Sequence, residues 1–346
     1  MQSRSADICA AQHGRTRPSI FARAIARVSP NTLTDHGSVL IICGPTAIGK
    51  TAVAMALQDA LGGKTQAQLI SADSALIYRG MDIGTAKPTH QEQQVYPHAL
   101  IDIRDPNETY SAADFVADAD AEIARAVAAG KKPIIVGGTM MYLKCLLQGI
   151  ADLPQTDISL RGELERELAE RSAQSLHDEL AQHDPEAAAG IHPNNHQRLL
   201  RALAVVRATG QPISAQWRSN AIGTLFERTG RRHRSVVMLP QRREILHQRI
   251  AGRFTQMLAA GFLDEVRSLM ARNDLTREMP SMRAVGYRQA WTHLVGETDQ
   301  AGFFEQGIAA TRQLAKRQMT WLRKWPDAME VVADTPNQTI DSIVGR

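Results

Sequence analysis

The segment GPTAIGKT, residues 44–51, constrains this chain more than any other stretch. It fits the phosphate-binding loop pattern G-x-x-x-x-G-K-[ST]. Its flanks have the required form: an apolar run, SVLIIC, precedes it and a helix-forming stretch, TAVAMALQDAL, follows it. Gly44 and Gly49 let the backbone of Pro45, Thr46, Ala47 and Ile48 curl around phosphate oxygens, with the amides after Pro45, which has no N–H, turned inward. The helix N-terminus behind the loop adds positive potential. Lys50 supplies a mobile charge, and Thr51 offers a hydroxyl for Mg²⁺. A strand–loop–helix unit of this kind belongs to an open α/β sheet. The pattern identifies a phosphate site and leaves open what carries the phosphate.

The rest of the chain continues the alternation. QLISADSAL (68–76) reads as a second strand ending at Asp73-Ser74, HALIDIRD (98–105) as a third, KKPIIVGGT (131–139) as a fourth and RSVVMLP (234–240) as a fifth. The first helix carries Val53, Met55, Ala56 and Leu57 and stops at Gly62-Gly63. Another, from YSAADF to Gly130, opens on a capping box of Ser111 with Asp114. Strands alternating with helices give the fold class α/β: a P-loop NTPase-like parallel sheet with helices on both faces. Residues 158–222 hold no strand-like run and read as a helical insertion between the fourth and fifth strands. The expected division is an N-terminal extension at 1–36 without ordered structure, a core at 37–157 and 223–330, the insertion at 158–222 and a tail at 331–346. From Gln241 to Pro326 the core reads helical, with breaks at Gly261, Pro280 and Gly286.

Composition narrows the function classes. Hydrophobic residues make up 43% of the 346-residue chain, but no apolar run approaches the ~20 residues of a membrane span. Cys9, Cys43 and Cys145 form no CxxC, so neither a zinc site nor a disulfide framework is expected. The net charge is +4, yet residues 1–36 hold five arginines against two aspartates, so the remainder is close to neutral. That extension is acid-poor and lacks a signal-peptide core. It reads as a disordered extension or an upstream start rather than a transit peptide. Polyanion binding must therefore come from local clusters. One comprises Arg228, Arg231, Arg232, Arg234, Arg242, Arg243, Arg249 and Arg253, with Glu244 as the sole acid. The other is ATRQLAKRQMTWLRKW (310–325), where Arg312, Lys316, Thr320 and Arg323 share a helix face flanked by Trp321 and Trp325. His196, Gln197, Arg198 and Arg201 form a third, smaller group.

Ligands of open α/β sheets bind beyond the carboxyl ends of the strands. Three such ends carry distinctive residues here: the loop with Lys50 and Thr51, then Asp73, then Gly137-Gly138-Thr139. Asp73 suits a general base or a metal ligand. Asp102, after ALI, has the weaker form of a strand-end metal aspartate. The GGT turn brings backbone close to a ligand and offers a hydroxyl.

Longer segments then carry a resemblance. ISADSALIYRGMDIGTAKP (70–88), YSAADF (110–115), VGGTMMYLK (136–144), DPEAAAGIHPNNHQRLLRAL (184–203), LHQRIAGRFTQML (246–258), PSMRAVGYRQAW (280–291) and TRQLAKRQMTWLR (311–323) resemble, in order, the motifs of tRNA dimethylallyltransferases, also called tRNA isopentenyltransferases. The likeness runs from Gly44 to about Trp325. It implies transfer of a dimethylallyl group from dimethylallyl diphosphate to N6 of the adenosine 3′-adjacent to the anticodon, in tRNAs reading codons that begin with U. The loop's phosphate is then an isoprenoid diphosphate. The resemblance further implies Asp73 as the base that takes the amine proton, and Thr139 and Arg253 as catalytic groups at the diphosphate. It implies Mg²⁺ at Thr51 and a flipped-out adenine. For tRNA contacts it points to Asp73, Ser74, Ala75, Leu76, Thr139, Arg161, Gln197, Arg198, Leu199, Leu200, Arg201, Arg283, Ala284, Val285, Gly286, Tyr287 and Arg288, with the insertion clamping the anticodon stem-loop. A cytoplasmic monomer of the bacterial type is expected, since no cysteine follows Cys145 to build a C-terminal zinc finger.

The chain departs from the family pattern at Ile48, where serine is usual, and at Ala72, Asn195, Ala204 and Ala284, where valine, aspartate, glutamate and cysteine are usual. None of these removes a group with a chemical role, so activity is expected to survive. The alternative reading is a P-loop kinase or NTPase acting on a small molecule. It lacks a phosphate-binding, arginine-rich lid between the third and fourth strands.

Overall fold

The computed structural model describes residues 37–151, 153, 158–219, 221–333, 339 and 343. The 1–36 extension, most of the LPQTD segment and most of the 331–346 tail lie outside the described residues. The chain begins with β1 (Val39–Cys43), whose five residues are all buried, and passes through the phosphate loop into α1 (Lys50–Ala60). It continues through β2 (Ala67–Ala72), α2 (His90–Val95), β3 (His98–Ala99), α3 (Ala112–Ala128), β4 (Lys132–Gly137) and α4 (Met140–Gln148). A short strand, β5 (Ile150–Ala151), leads into α5 (Ile158–Glu170), α6 (Ala173–His183), α7 (Pro185–Gly190), α8 (His196–Thr209) and α9 (Ile213–Ser219). The return strand β6 (Ala221–Ile222) precedes α10 (Leu225–Thr229) and β7 (His233–Leu239). Then come α11 (Arg243–Ala259), α12 (Phe262–Met270), α13 (Tyr287–Leu294), α14 (Gln300–Leu322) and β8 (Ala328–Val332).

The six-stranded sheet has the order β3-β2-β4-β1-β7-β8. All of its pairings are parallel. This is the expected α/β class, and it explains the unbroken apolar runs, because a parallel sheet is covered on both faces. Leu40, Ile42, Leu69, Ile134, Val136, Val236 and Met238 point to one face, under α1 and α11–α14. Val39, Ile41, Ile70, Ile135 and Val237 point to the other, under α3 and α4. Alternate residues of each strand thus serve opposite cores. The capping box of α3 forms as read: the Ser111 hydroxyl accepts from the Asp114 amide, and the Asp114 carboxylate accepts from the Ser111 amide.

Three expectations are corrected. The third strand is not 98–105 but only His98–Ala99, because Leu100 and Asp102 take positive φ values of 64° and 56° and turn the chain out of the sheet. A single bridge between Tyr78 and Arg104 is what remains of the pairing there. The tail assigned to 331–346 begins inside a strand: β8 adds to β7 as the sixth strand, in register from Ser235–Ala328 to Leu239–Val332. The insertion is helical as read, but β5 and β6 close its base as an antiparallel pair, Ile150–Ile222 and Ala151–Ala221. Two-residue strands leave no periodicity to read. The insertion has its own core of Leu164, Leu176, Leu180, Leu199, Leu203 and Val205.

Gly137 is required where β4 passes β2: a Cβ there would sit 2.1 Å from the Ala72 carbonyl oxygen. Gly137→Ala is expected to cost about 1–3 kcal/mol or more, through backbone displacement. Gly162, inside α5, serves as the control, since a Cβ at that position would meet nothing within 4 Å. There alanine should gain roughly 0.5–1 kcal/mol of helix propensity. Thermal melts of the two variants should move in opposite directions.

Candidate active site

The loop takes its shape from two positive φ values, 62° at Ala47 and 99° at Gly49. The left-handed alanine costs about 1–2 kcal/mol, a strain of the kind found at ligand sites. Gly49 is also the N-cap of α1, without a side-chain cap, so the first amides of that helix remain available to an anion. Ile48 answers its own departure from the family pattern. Its side chain is only 3% exposed and packs into the core beneath the loop, so a hydroxyl there would face packing atoms rather than the ligand. Its carbonyl accepts from Arg249, which also bonds Ala333 beyond β8.

Lys50 donates to the Pro45 carbonyl at 2.9 Å. Burial pulls its pKa down to about 8, the Asp73 carboxylate pulls it back up, and the like charge of Arg253 pulls it down. Arg253, on α11, donates to the Thr85 carbonyl at 3.0 Å, and its pKa too is lowered by burial against the pull of Asp73. Asp73 accepts the Ala75 amide through Oδ1 at 2.9 Å. Thr139 ties the β4 end to the β2 end: its amide donates to the Ala72 carbonyl at 3.2 Å, and its hydroxyl accepts the Ser74 amide at 2.9 Å. Cys43, at the end of β1, is no nucleophile, since burial pushes its thiol up to about 12.

These groups share one cavity of about 530 Å³ at the carboxyl ends of β1, β2 and β4. Thr46, Ala47, Lys50, Thr51, Asp73, Ser74, Ala75, Leu76, Thr139 and Arg253 line it. So do Arg283, Ala284, Val285, Gly286 and Tyr287 from the far wall. Tyr287 is 1% exposed and donates its hydroxyl to Glu265, which also accepts the amides of Asp82, Ile83 and Gly84 at 2.9, 2.6 and 3.1 Å. That carboxylate fastens the 82–86 loop, and with it the Arg253 partner Thr85, to α12 and α13.

Other expected contacts lie apart from the cavity. Gln197 and Arg198 are exposed in the first turn of α8, and Arg161 is exposed on α5 in an ion pair with Glu165. Burial lowers the pKa of Arg201 on the same helix α8. Arg288 is exposed beside the cavity wall. Leu199 and Leu200 correct the reading, since their side chains belong to the insertion core.

The basic clusters also divide differently. Because β7 runs parallel to β1, Arg231, Arg232 and Arg234 sit at its amino end, across the sheet from the phosphate loop. Arg228 is spent on Asp120, at 2.6 and 3.1 Å. Of that group Arg253 lines the cavity, and Arg249 bonds the Ile48 carbonyl of the loop. On α14 the exposed Arg312–Lys316–Thr320–Arg323 face points outward, while Thr311, Leu314, Arg317, Gln318 and Trp321 line the cavity. Lys144 lies 5.7 Å from the Trp321 ring centroid. Asp102, together with Asp82, pairs the buried ammonium of Lys87.

Sequence reasoning missed Gln318, whose carboxamide bridges the two ligand loops. A signal existed: the buried stripe Ile308–Ala315–Leu322 has a seven-residue period, and Gln318 interrupts it at a core position. Ser71 was missed as well. Its hydroxyl is buried on the cavity wall with no partner among the described residues.

Because the Lys50 pKa is lower in the folded chain than its ordinary 10.5, the folded state holds fewer protons between about 8 and that value. Burying the charge opposes folding below about 8, and this cost is relieved as pH rises through the window. Anion binding has the opposite sense. Pyrophosphate affinity measured by calorimetry should be about tenfold weaker one unit above that pKa than one unit below it, and Lys50→Met should remove the difference.

Comparison with known proteins agrees with this geometry. A family model described as IPP transferase matches residues 76–325. The tRNA dimethylallyltransferase of Chromohalobacter salexigens is 55% identical over 286 residues, spanning 83% of this chain and 89% of the relative. That of Cupriavidus taiwanensis is 52% identical over 299 residues, spanning 86% and 92%. Among solved structures, the tRNA isopentenylpyrophosphate transferase of Bacillus halodurans is 34% identical, with a TM-score of 0.61 over 89% of this chain and 94% of that one. A eukaryotic dimethylallyltransferase acting on tRNA is 26% identical, with a TM-score of 0.71 over 87% and 75%. With a matching family model over most of its length and relatives more than half identical, the chain belongs to the IPP transferase family.

Proposed function

We propose that this chain transfers a dimethylallyl group from dimethylallyl diphosphate to N6 of the adenosine 3′-adjacent to the anticodon, in tRNAs reading codons that begin with U. The observation that carries the reading is the single cavity holding a phosphate loop with Lys50, an Asp73 carboxylate and an arginine-bearing wall at Arg283–Tyr287. The diphosphate lies against the loop amides, Lys50, Thr139 and Arg253. As the allylic C–O bond breaks, negative charge grows on the leaving diphosphate, and these fixed donors and cations stabilise it where it develops. The adenine enters flipped from the side of Ser74–Leu76 and Arg283–Arg288. Its exocyclic amine is a weak nucleophile. Asp73 takes the proton that the amine sheds as the N–C bond forms. The α8 terminus with Gln197 and Arg198, together with Arg161, offers the insertion's surface to the anticodon stem-loop.

The residues fit Mg²⁺. Among the described residues no group of three or more His, Cys, Asp or Glu side chains forms a protein cage. The Thr51 hydroxyl with donor phosphate oxygens and water would hold it in the way this ion prefers. Bound there, it would neutralise diphosphate charge. The buried Ser71 hydroxyl on the same cavity wall, without a partner among the described residues, would offer a further polar group there. A monomer working in the cytoplasm, where tRNA is found, completes the proposal. No described helix is long and apolar enough to cross a membrane.

The deciding experiment gives purified protein, Mg²⁺ and unmodified tRNA either labelled dimethylallyl diphosphate or γ-labelled ATP. Label in tRNA from the allyl donor with ATP intact is expected. ATP turnover without allyl transfer would return the loop to an NTP site. Asp73→Ala should leave tRNA affinity within about twofold while lowering turnover by roughly 10²–10⁴. Loss of tRNA affinity with turnover preserved on the bound complex would remove Asp73 from the base role.

A further inference from the structure

Gln318 enters the cavity from α14, far in sequence from both groups it holds. Its Oε1 accepts the Thr46 amide of the phosphate loop at 2.8 Å, and its Nε2 donates to the Gly138 carbonyl of the GGT turn at 2.8 Å. The side chain is nearly enclosed, with the residue 7% exposed. Both partners belong to loops that leave different strands, β1 and β4. The crowding over Gly138 shows how tightly the parts meet: a Cβ there would lie 2.7 Å from the Gln318 amide nitrogen and 3.3 Å from the Lys50 ammonium. A carboxamide is suited to this position because it presents one acceptor and one donor. Glutamate has no donor and methionine has neither.

We infer that Gln318 is a positioning residue for the donor's diphosphate. It sets the gap between the loop at 44–51 and the turn at 137–139, and it holds the Thr46 end of the loop in its cradle shape before an anion arrives. Lys50 on one side and Thr139 on the other then face the same ligand. Preorganised donors need no reordering on binding; a loop released from its latch must be ordered by the ligand instead. The same helix carries Arg317 one residue earlier and Trp321 three residues later, both on the cavity wall. The helix that lines this part of the cavity wall therefore also braces the diphosphate slot. The inference rests on the proposed use of the slot for an isoprenoid diphosphate.

The test is Gln318→Met, which keeps length and volume and removes both hydrogen bonds. The expected result is a roughly tenfold rise in the donor KM and in the Kd for inorganic pyrophosphate. The kcat at saturating donor and the tRNA affinity should stay within about twofold. A merely structural role would lower the thermal midpoint without this split. Should Q318M fail to fold, Q318E decides: it keeps the acceptor, loses the donor and adds a negative charge, so its pyrophosphate affinity should fall further. Wild-type pyrophosphate affinity and donor KM in the folded variant would overturn the inference. So would weakened tRNA binding with donor KM unchanged, which would assign Gln318 to the RNA face. If the wild-type protein binds pyrophosphate but transfers no dimethylallyl group, the proposed function fails while the pyrophosphate affinities still judge the latch.

Discussion

The Lys50 ammonium is half-buried on the cavity wall, with no anion hydrogen-bonded to it among the described residues, and much of the structure is arranged around that fact. Its one protein hydrogen bond among those described goes to a carbonyl of its own loop, Pro45. Asp73 acts on it by field, and Arg253 brings a second desolvated cation toward the same carboxylate. Two half-buried cations against one carboxylate leave the cavity with a positive excess. Such a hole is costly when empty and favours an anion with several oxygens. The uncapped start of α1 points the same way, because no N-cap side chain takes the first amides of that helix.

Sheet order is what turns these groups into one site. The β4 strand lies between β1 and β2, so three loops that are far apart in sequence leave the sheet side by side. Gly137 and Gly138 permit the approach, since a side chain on either would strike the Ala72 backbone or the Gln318 amide. The far wall comes from the C-terminal helices. Glu265 gathers the amides of the 82–84 loop and the Tyr287 hydroxyl on one carboxylate, which couples the Arg253 side of the cavity to the Arg283 side.

Much of this was legible without coordinates, for identifiable reasons. The phosphate loop, the capping box at Ser111 and the fully apolar strands are local patterns, each set by geometry within a few residues. Elements that depend on distant partners were not legible. β8 has one buried and four partly or fully exposed residues, and its place in the sheet follows from pairing with β7. The turn at Leu100 and Asp102 cuts β3 short against an apolar sequence. Counted along the chain, the arginines from 228 to 253 look like one basic patch. In space they split between Asp120, the amino end of β7 and the cavity.

The sequence alone pointed to the fold class, the family resemblance and five of the side chains that share the cavity: Lys50, Thr51, Asp73, Thr139 and Arg253. The loop with Lys50 and Thr51 and the strand ends at Asp73 and Thr139 follow short-range rules, whereas Arg253 was singled out by the resemblance. Only the tertiary structure decided which face of α14 meets the cavity, that Leu199 and Leu200 serve the insertion core, and that Asp102 neutralises Lys87. It also disclosed Gln318, whose hydrogen bonds span 272 and 180 residues. A side chain's partner at such separation is set by how helices pack on the sheet, and no local pattern encodes it.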